Sequence, residues 1–319
     1  MNTRTALLAL SLLLAALPAA AQETPAEPAK AEPAKAAAPE YSRRGADTCL
    51  NCHDDDPTVM AIFKTRHAQP KNPNTPFGHG QLQCEACHGP GGAHTGRVKR
   101  GEPRPPVIRF GKNTETPVEQ QNAMCMNCHN PKAGEWHASA HRDNDVGCAD
   151  CHDSHAARDP VLVKATQADV CGTCHQVQKQ NMLLPFSHPL RDEQMACTGC
   201  HAPHGSTAEA ALVKDTVNDT CYTCHADKRG PFLWEHQPVS EDCGACHQPH
   251  GSVHPGMVKQ RAPFLCQQCH QSEGHPSVPG LPSALPGGAP SATALASGCM
   301  NCHSQVHGSN HPSGRQLTR

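Results

Sequence analysis

Large apolar side chains are scarce in this chain. Aromatic residues make up 3% of its 319 positions, and Val, Leu, Ile and Phe together number 44, about 14%. Below roughly 20% in those four residues, a chain ordinarily buries too little apolar surface to fold by itself. A protein-only core is therefore excluded, and something else must fill or staple the interior. Beyond the N-terminal leader, no run is long and apolar enough for a membrane helix. There is no G-x-G-x-x-G and no phosphate-binding loop. Nor is there the basic excess of a nucleic-acid binder, since 27 Lys and Arg stand against 29 Asp and Glu.

Cysteine and histidine are abundant instead, at 20 and 24 residues. Every cysteine belongs to one of ten C-x-x-C-H units: Cys49/Cys52, Cys84/Cys87, Cys125/Cys128, Cys148/Cys151, Cys171/Cys174, Cys197/Cys200, Cys221/Cys224, Cys243/Cys246, Cys266/Cys269 and Cys299/Cys302. Paired cysteines can form disulfides, build zinc ribbons, or bond covalently to haem. The histidines decide between these. Neither disulfides nor zinc ribbons need a histidine at that fixed place. At the chain's own histidine frequency, ten in a row would arise with odds on the order of one in 10¹¹. The motif thus predicts ten covalently attached haem c groups, with the adjacent His53, His88, His129, His152, His175, His201, His225, His247, His270 and His303 on the iron.

Residues 1–21 read as a secretory signal peptide: Arg4, an apolar run from Ala6 to Leu17, and the small residues Ala19–Ala21. Residues 22–44, rich in Ala, Pro, Glu and Lys, read as a disordered tether. Residues 45–319 form the decahaem electron-transfer domain. No cysteine lies between the leader and Cys49 to carry a lipid anchor. A Pro- and Gly-rich stretch at 276–298 interrupts the repeats.

The units alternate between two kinds, A and B, giving five tandem two-haem modules. An A unit is followed by an upstream histidine (His67, His141, His188, His236, His275), a B unit by a downstream one (His94, His155, His204, His250, His307). These ten equal the second axial ligands that ten haems need. His79, His137, His254 and His311 remain, with His79 a rival to His67 and His311 to His307. Histidines on opposite faces of one haem have Cα atoms roughly 12–13 Å apart, and three residues span at most about 10.5 Å. His152 and His155 therefore cannot share an iron. The expected pairing gives the downstream histidine to unit A and the upstream one to unit B. The pairs Val163–Lys164, Val213–Lys214 and Val258–Lys259 read as short apolar anchors beside solvated lysines, or as partners of haem propionates.

A haem with histidine on both faces has no open position for substrate, so it carries electrons and is not a catalyst. Ten ferric haems with ionised propionates would bring the charge to roughly −10, which again argues against nucleic acid. The predicted fold is a multihaem cytochrome c: elongated, with little regular secondary structure, short helices and loops around a haem chain. At roughly 10 Å per haem the row would reach about 90 Å, longer than the ~40–45 Å of a bilayer.

CHGPGGAH at 87–94, CADCHDSH at 148–155, the CHAPHG and CHQPHG repeats, and the ending CMNCHSQVHGSNHPSG resemble the periplasmic decahaem cytochromes of outer-membrane porin–cytochrome conduits, the MtrA, DmsE and PioA type. The resemblance covers residues from about 45 to 319. It implies a bis-histidine haem wire inserted in an outer-membrane β-barrel porin. Such a wire links periplasmic or inner-membrane electron-transfer partners to extracellular acceptors or donors: iron minerals, an extracellular cytochrome or a surface reductase. The alternatives are a freely soluble periplasmic shuttle or reservoir, and a multihaem oxidoreductase.

Overall fold

Five short α-helices carry the A units. In the computed structural model, which describes residues 40–130, 134–270 and 298–318, they are α1 (Ala46–His53), α2 (Val118–His129), α3 (Lys164–Cys171), α4 (Val217–Tyr222) and α5 (Phe264–Gln267). The spacing explains why a helix suits the motif. In α1 and α2, which hold whole motifs, residues at i, i+3 and i+4 share one helical face, so both thiols and the imidazole point the same way; in α3, α4 and α5 the helix holds the first cysteine and the motif ends beyond it. Thr216 starts α4 by accepting a hydrogen bond from the Asp219 amide at 3.0 Å while its hydroxyl donates to the Asp219 carboxylate at 2.7 Å.

Four B units instead sit on single 3-10 turns, at Cys148–Asp150, Cys197–Gly199, Cys243–Ala245 and Cys299–Asn301; the first is a short helix, Glu85–His88. In both settings the motif closes on itself. The histidine amide donates to the carbonyl of the first cysteine, at 2.9 Å in His88, His152, His225, His270 and His303 and 3.0 Å in His175, His201 and His247. Among the described residues there is no strand, only isolated bridges such as Phe186 with Ser252 and Trp234 with Ser309. No described helix is long and apolar enough to cross a membrane.

Modules are stitched internally by buried side-chain amides. Asn122, three residues before the A-unit Cys125, accepts from the Cys148 amide at 2.8 Å. Asn218, three before Cys221, accepts from the Cys243 amide at 2.7 Å and donates to the Val239 carbonyl at 2.9 Å. Gln167 plays the same part for Thr198 at 3.0 Å. Asn218→Ala strands a buried amide and a carbonyl. Loss of about 1–3 kcal/mol is expected, read as a lower unfolding midpoint of the holoprotein with its haem content unchanged.

Neighbouring modules interlock through the glycine after the downstream histidine. Gly205, Gly251 and Gly308 have φ of +120°, +140° and +125°. A Cβ there would collide with Glu135, Asn181 and Phe232, each in the preceding module. Residues 40–44, which composition places at the end of the tether, engage the first module. The Ser42 amide and hydroxyl donate to Glu85 at 2.9 and 2.7 Å, and the Gly92 amide donates to the Glu40 carbonyl at 2.9 Å. The leader, the rest of the tether, His275 and nearly all of the 276–298 stretch lie outside the described residues.

An apolar protein core is nearly absent. Among the described residues the buried apolar ones are Ala46, Trp136, Met182 and Leu317. The interior is a continuous cavity of about 5560 Å³, whose wall extends from Thr48 to Thr318.

Candidate haem-binding site

All twenty cysteines and all ten motif histidines line that cavity. So do nine of the ten predicted second ligands, His67, His94, His141, His155, His188, His204, His236, His250 and His307; the tenth is His275. Of the surplus histidines His254 lines it, whereas His79, His137 and His311 are not part of its wall. Divided among ten units the volume is roughly 560 Å³ each, inside the ~300–1,000 Å³ of a single cofactor pocket.

The histidines meet in pairs across the cavity. Ring centroids lie 6.0 Å apart for His67 and His129, 6.0 Å for His141 and His175, 6.3 Å for His188 and His225, and 6.1 Å for His236 and His270. A second series joins His88 to His155 at 6.4 Å, His152 to His204 at 5.9 Å, His201 to His250 at 6.0 Å, and His247 to His307 at 6.1 Å. Two metal–imidazole bonds of about 2 Å, plus the distance from each nitrogen to its ring centre, place two centroids on one metal about 6 Å apart. The pairs fit an iron between them.

The pairing differs from the expected one in both respects. His67, His141, His188 and His236 each face an A unit, and His155, His204, His250 and His307 each face a B unit, always in an adjacent module. His141 of the second module faces His175 of the third, while His204 of the third faces His152 of the second. The interlocked loops set this pairing, by carrying each histidine into the neighbouring module. His155 turns to His88 and not to His152, as the three-residue reach requires. The histidines that face motif imidazoles are His67 and His307, not their rivals.

Hydrogen bonds fix which ring nitrogen is available. Nδ1 of His88, His94, His141, His155, His188, His201, His236, His247 and His303 contacts a backbone carbonyl at 2.6–3.0 Å, and Nδ1 of His152 contacts the Asp159 carboxylate at 2.6 Å. Carbonyl and carboxylate oxygens only accept, so Nδ1 carries the proton and Nε2 presents its lone pair. The carbonyls are placed by the interlock: those of Pro203, Pro249 and Val306 each precede the downstream histidine of the next module. Burial lowers the pKa of His88, His204, His250 and His307, with neighbouring charged groups adding to it, which favours the neutral, metal-binding form.

The cysteines show how successive units adjoin. Within a module the first cysteines act on each other's thiol. Hydrogen bonding between them draws Cys49, Cys148 and Cys197 down to about 7 and drives Cys84, Cys125 and Cys171 up. Burial, then the partners Cys243 and Cys299, raise Cys221 and Cys266 to about 11. Between modules the second cysteines adjoin. After burial, Cys87 is raised by Cys128, Cys151 by Asp150 and then Cys174, Cys200 by Cys221 and Cys224, and Cys246 by Cys269. Consecutive motifs are thus spatial neighbours from Cys49 to Cys299.

Sequence comparison agrees with this framing. A doubled CXXCH motif family matches residues 188–230 and 236–275, and each match takes in one B unit and the A unit of the next module. An NrfB-like c-type cytochrome family matches residues 84–166. The multiheme cytochrome MtrA of Shewanella baltica (strain OS185) is 49% identical over 286 residues, covering 89% of this chain and 84% of that protein. The chain belongs to the MtrA family of multihaem c-type cytochromes. A shorter likeness, 33% over 153 residues, joins it to the c-type protein NrfB of Escherichia coli O6:H1 (strain CFT073), covering 46% of this chain and 74% of that protein. As in the MtrA family generally, the paired CXXCH motifs are covalent haem sites of an electron-transfer protein, and the fold is short helices and loops around them.

Sequence reasoning missed the residues that support the ligands. Asn122, Gln167, Asn218 and Asp159 carry no motif of their own. For the amides the only signal was a fixed offset of three or four residues before the A-unit cysteine.

Proposed function

We propose that this MtrA-family protein binds ten haems and conducts electrons along them as the periplasmic part of a conduit through the outer membrane. Haem supplies a one-electron iron couple; the chain supplies order, contact and closed coordination. One continuous cavity lined by all twenty cysteines, and crossed by imidazole pairs that join each module to the next, is the observation that carries this reading, because it strings the sites into one series. The paired imidazoles would hold haem iron from both sides at eight sites and leave no position for substrate there, which favours a carrier over an enzyme.

The pairing rule also accounts for the start of the series. His53 has no preceding module to send it an upstream histidine, and His94 has no preceding B unit to serve; both belong to the first module, so they are assigned to each other.

The length of such a series, the MtrA kinship and the scarcity of apolar surface together favour a barrel-forming protein as sheath, with periplasmic donors at one end and extracellular partners at the other. Co-reconstitution tests this. Vesicles containing the holoprotein with its barrel partner are expected to reduce an enclosed impermeant dye from external reductant. Dye reduction absent from such vesicles, with all protein recovered in the soluble fraction, would favour the shuttle.

A further inference from the structure

Five B-unit histidines occupy equivalent places, and four of them donate Nδ1–H to a backbone carbonyl: His88 to Ile108, His201 to Ala210, His247 to Gly256 and His303 to Gln316. His152 is the exception, with Asp159 Oδ2 at 2.6 Å. The carboxylate is built into its place. Its Oδ1 accepts from the amides of Asp153 at 3.2 Å and Val161 at 3.3 Å, leaving Oδ2 to the imidazole, and its side chain is 16% exposed.

We propose that Asp159 is a potential-setting residue that makes the haem site of Cys148 and Cys151 the most strongly reducing of the five B sites. A carbonyl offers a dipole; a carboxylate offers a full negative charge to the same N–H. That charge strengthens electron donation from Nε2 and stabilises the ferric over the ferrous state. The tuned step is a one-electron exchange with the adjoining sites, with no bond made or broken and the Nδ1 proton retained. An electron passing through this fourth position meets a site higher in energy than the other B sites, at the joint between the first two modules and the remaining three. This assignment rests on the ten-haem reading above.

The test is potentiometric titration of the purified holoprotein followed by electron paramagnetic resonance. Asp159→Asn removes the charge at near-constant shape. It is expected to shift the ferrous-to-ferric ratio of one component about tenfold towards ferrous at fixed potential, equivalent to 59 mV for a one-electron couple. Asp159→Glu should restore the lower potential. Removing the unit with Cys148→Ala and Cys151→Ala should delete the component that Asp159→Asn moves. The same deletion in the otherwise unaltered protein should remove its lowest B-type component, a readout that survives even if Asp159→Asn fails to accumulate. An unmoved component, or an equal shift of all of them, would overturn the assignment. A wild-type haem count other than ten, or a high-spin signal, would instead sink the underlying reading, so the two failures are distinguishable.

Discussion

Produced in cells that cannot attach haem, the chain is expected to lose its cooperative thermal transition altogether and to remain unfolded. The apolar side chains buried in its described part are those of Ala46, Trp136, Met182 and Leu317. Ordering the backbone costs about 1–2 kcal/mol per residue, and so small a set of buried side chains cannot offset that cost over the whole chain. The stabilisation must come from the cavity wall closing on covalently attached haem. Circular dichroism and calorimetry of the haem-free chain provide the check. A sharp transition with native-like helix content would show a protein core that the packing does not contain.

The second large effect concerns one histidine. His155→Ala is expected to convert a single haem to the high-spin state and to admit one equivalent of carbon monoxide. The site affected should be that of Cys84 and Cys87, not that of Cys148, although His155 lies three residues from His152. The reason is geometric: the His155 ring faces His88 at 6.4 Å, and its Nδ1 donates to the Thr58 carbonyl at 2.9 Å in the first module. Because the sites form a series, throughput should fall by at least the ~10-fold that disturbing an outer-shell partner typically costs. Combining His155→Ala with Cys84→Ala and Cys87→Ala should abolish the high-spin signal. Its persistence would mean that the open haem is elsewhere, and that the pairing across modules is wrong.

Much of this was legible in the sequence for a plain reason. C-x-x-C-H is a local motif whose geometry is fixed within five residues, so composition and spacing announced the haem sites, the scarcity of sheet and the five modules. The partner across each cavity face was not legible, because it depends on how loops from different modules pass one another. Counting put forward ten second histidines, of which eight face a motif imidazole, but did not give their direction. What sends His188 to His225, away from its own module's His201, is the Phe186–Ser252 bridge together with the close approach at Gly251. Asp159 escaped notice because a carboxylate and a carbonyl can serve the same N–H, and sequence displays only the former, without its target.

The exchange of imidazoles between adjoining modules also bears on how such chains grow and shrink. A segment cut out from one B unit to the next carries a full complement of bonds across both joints, so duplicating it in the interior lengthens the protein by two centres without redesign. Trimming from either extremity does the reverse: it orphans one donor and one acceptor on the newly exposed neighbour. Families built on this plan should therefore vary in size by whole internal periods, while their first and last repeats diverge in the loops that let each terminus satisfy itself.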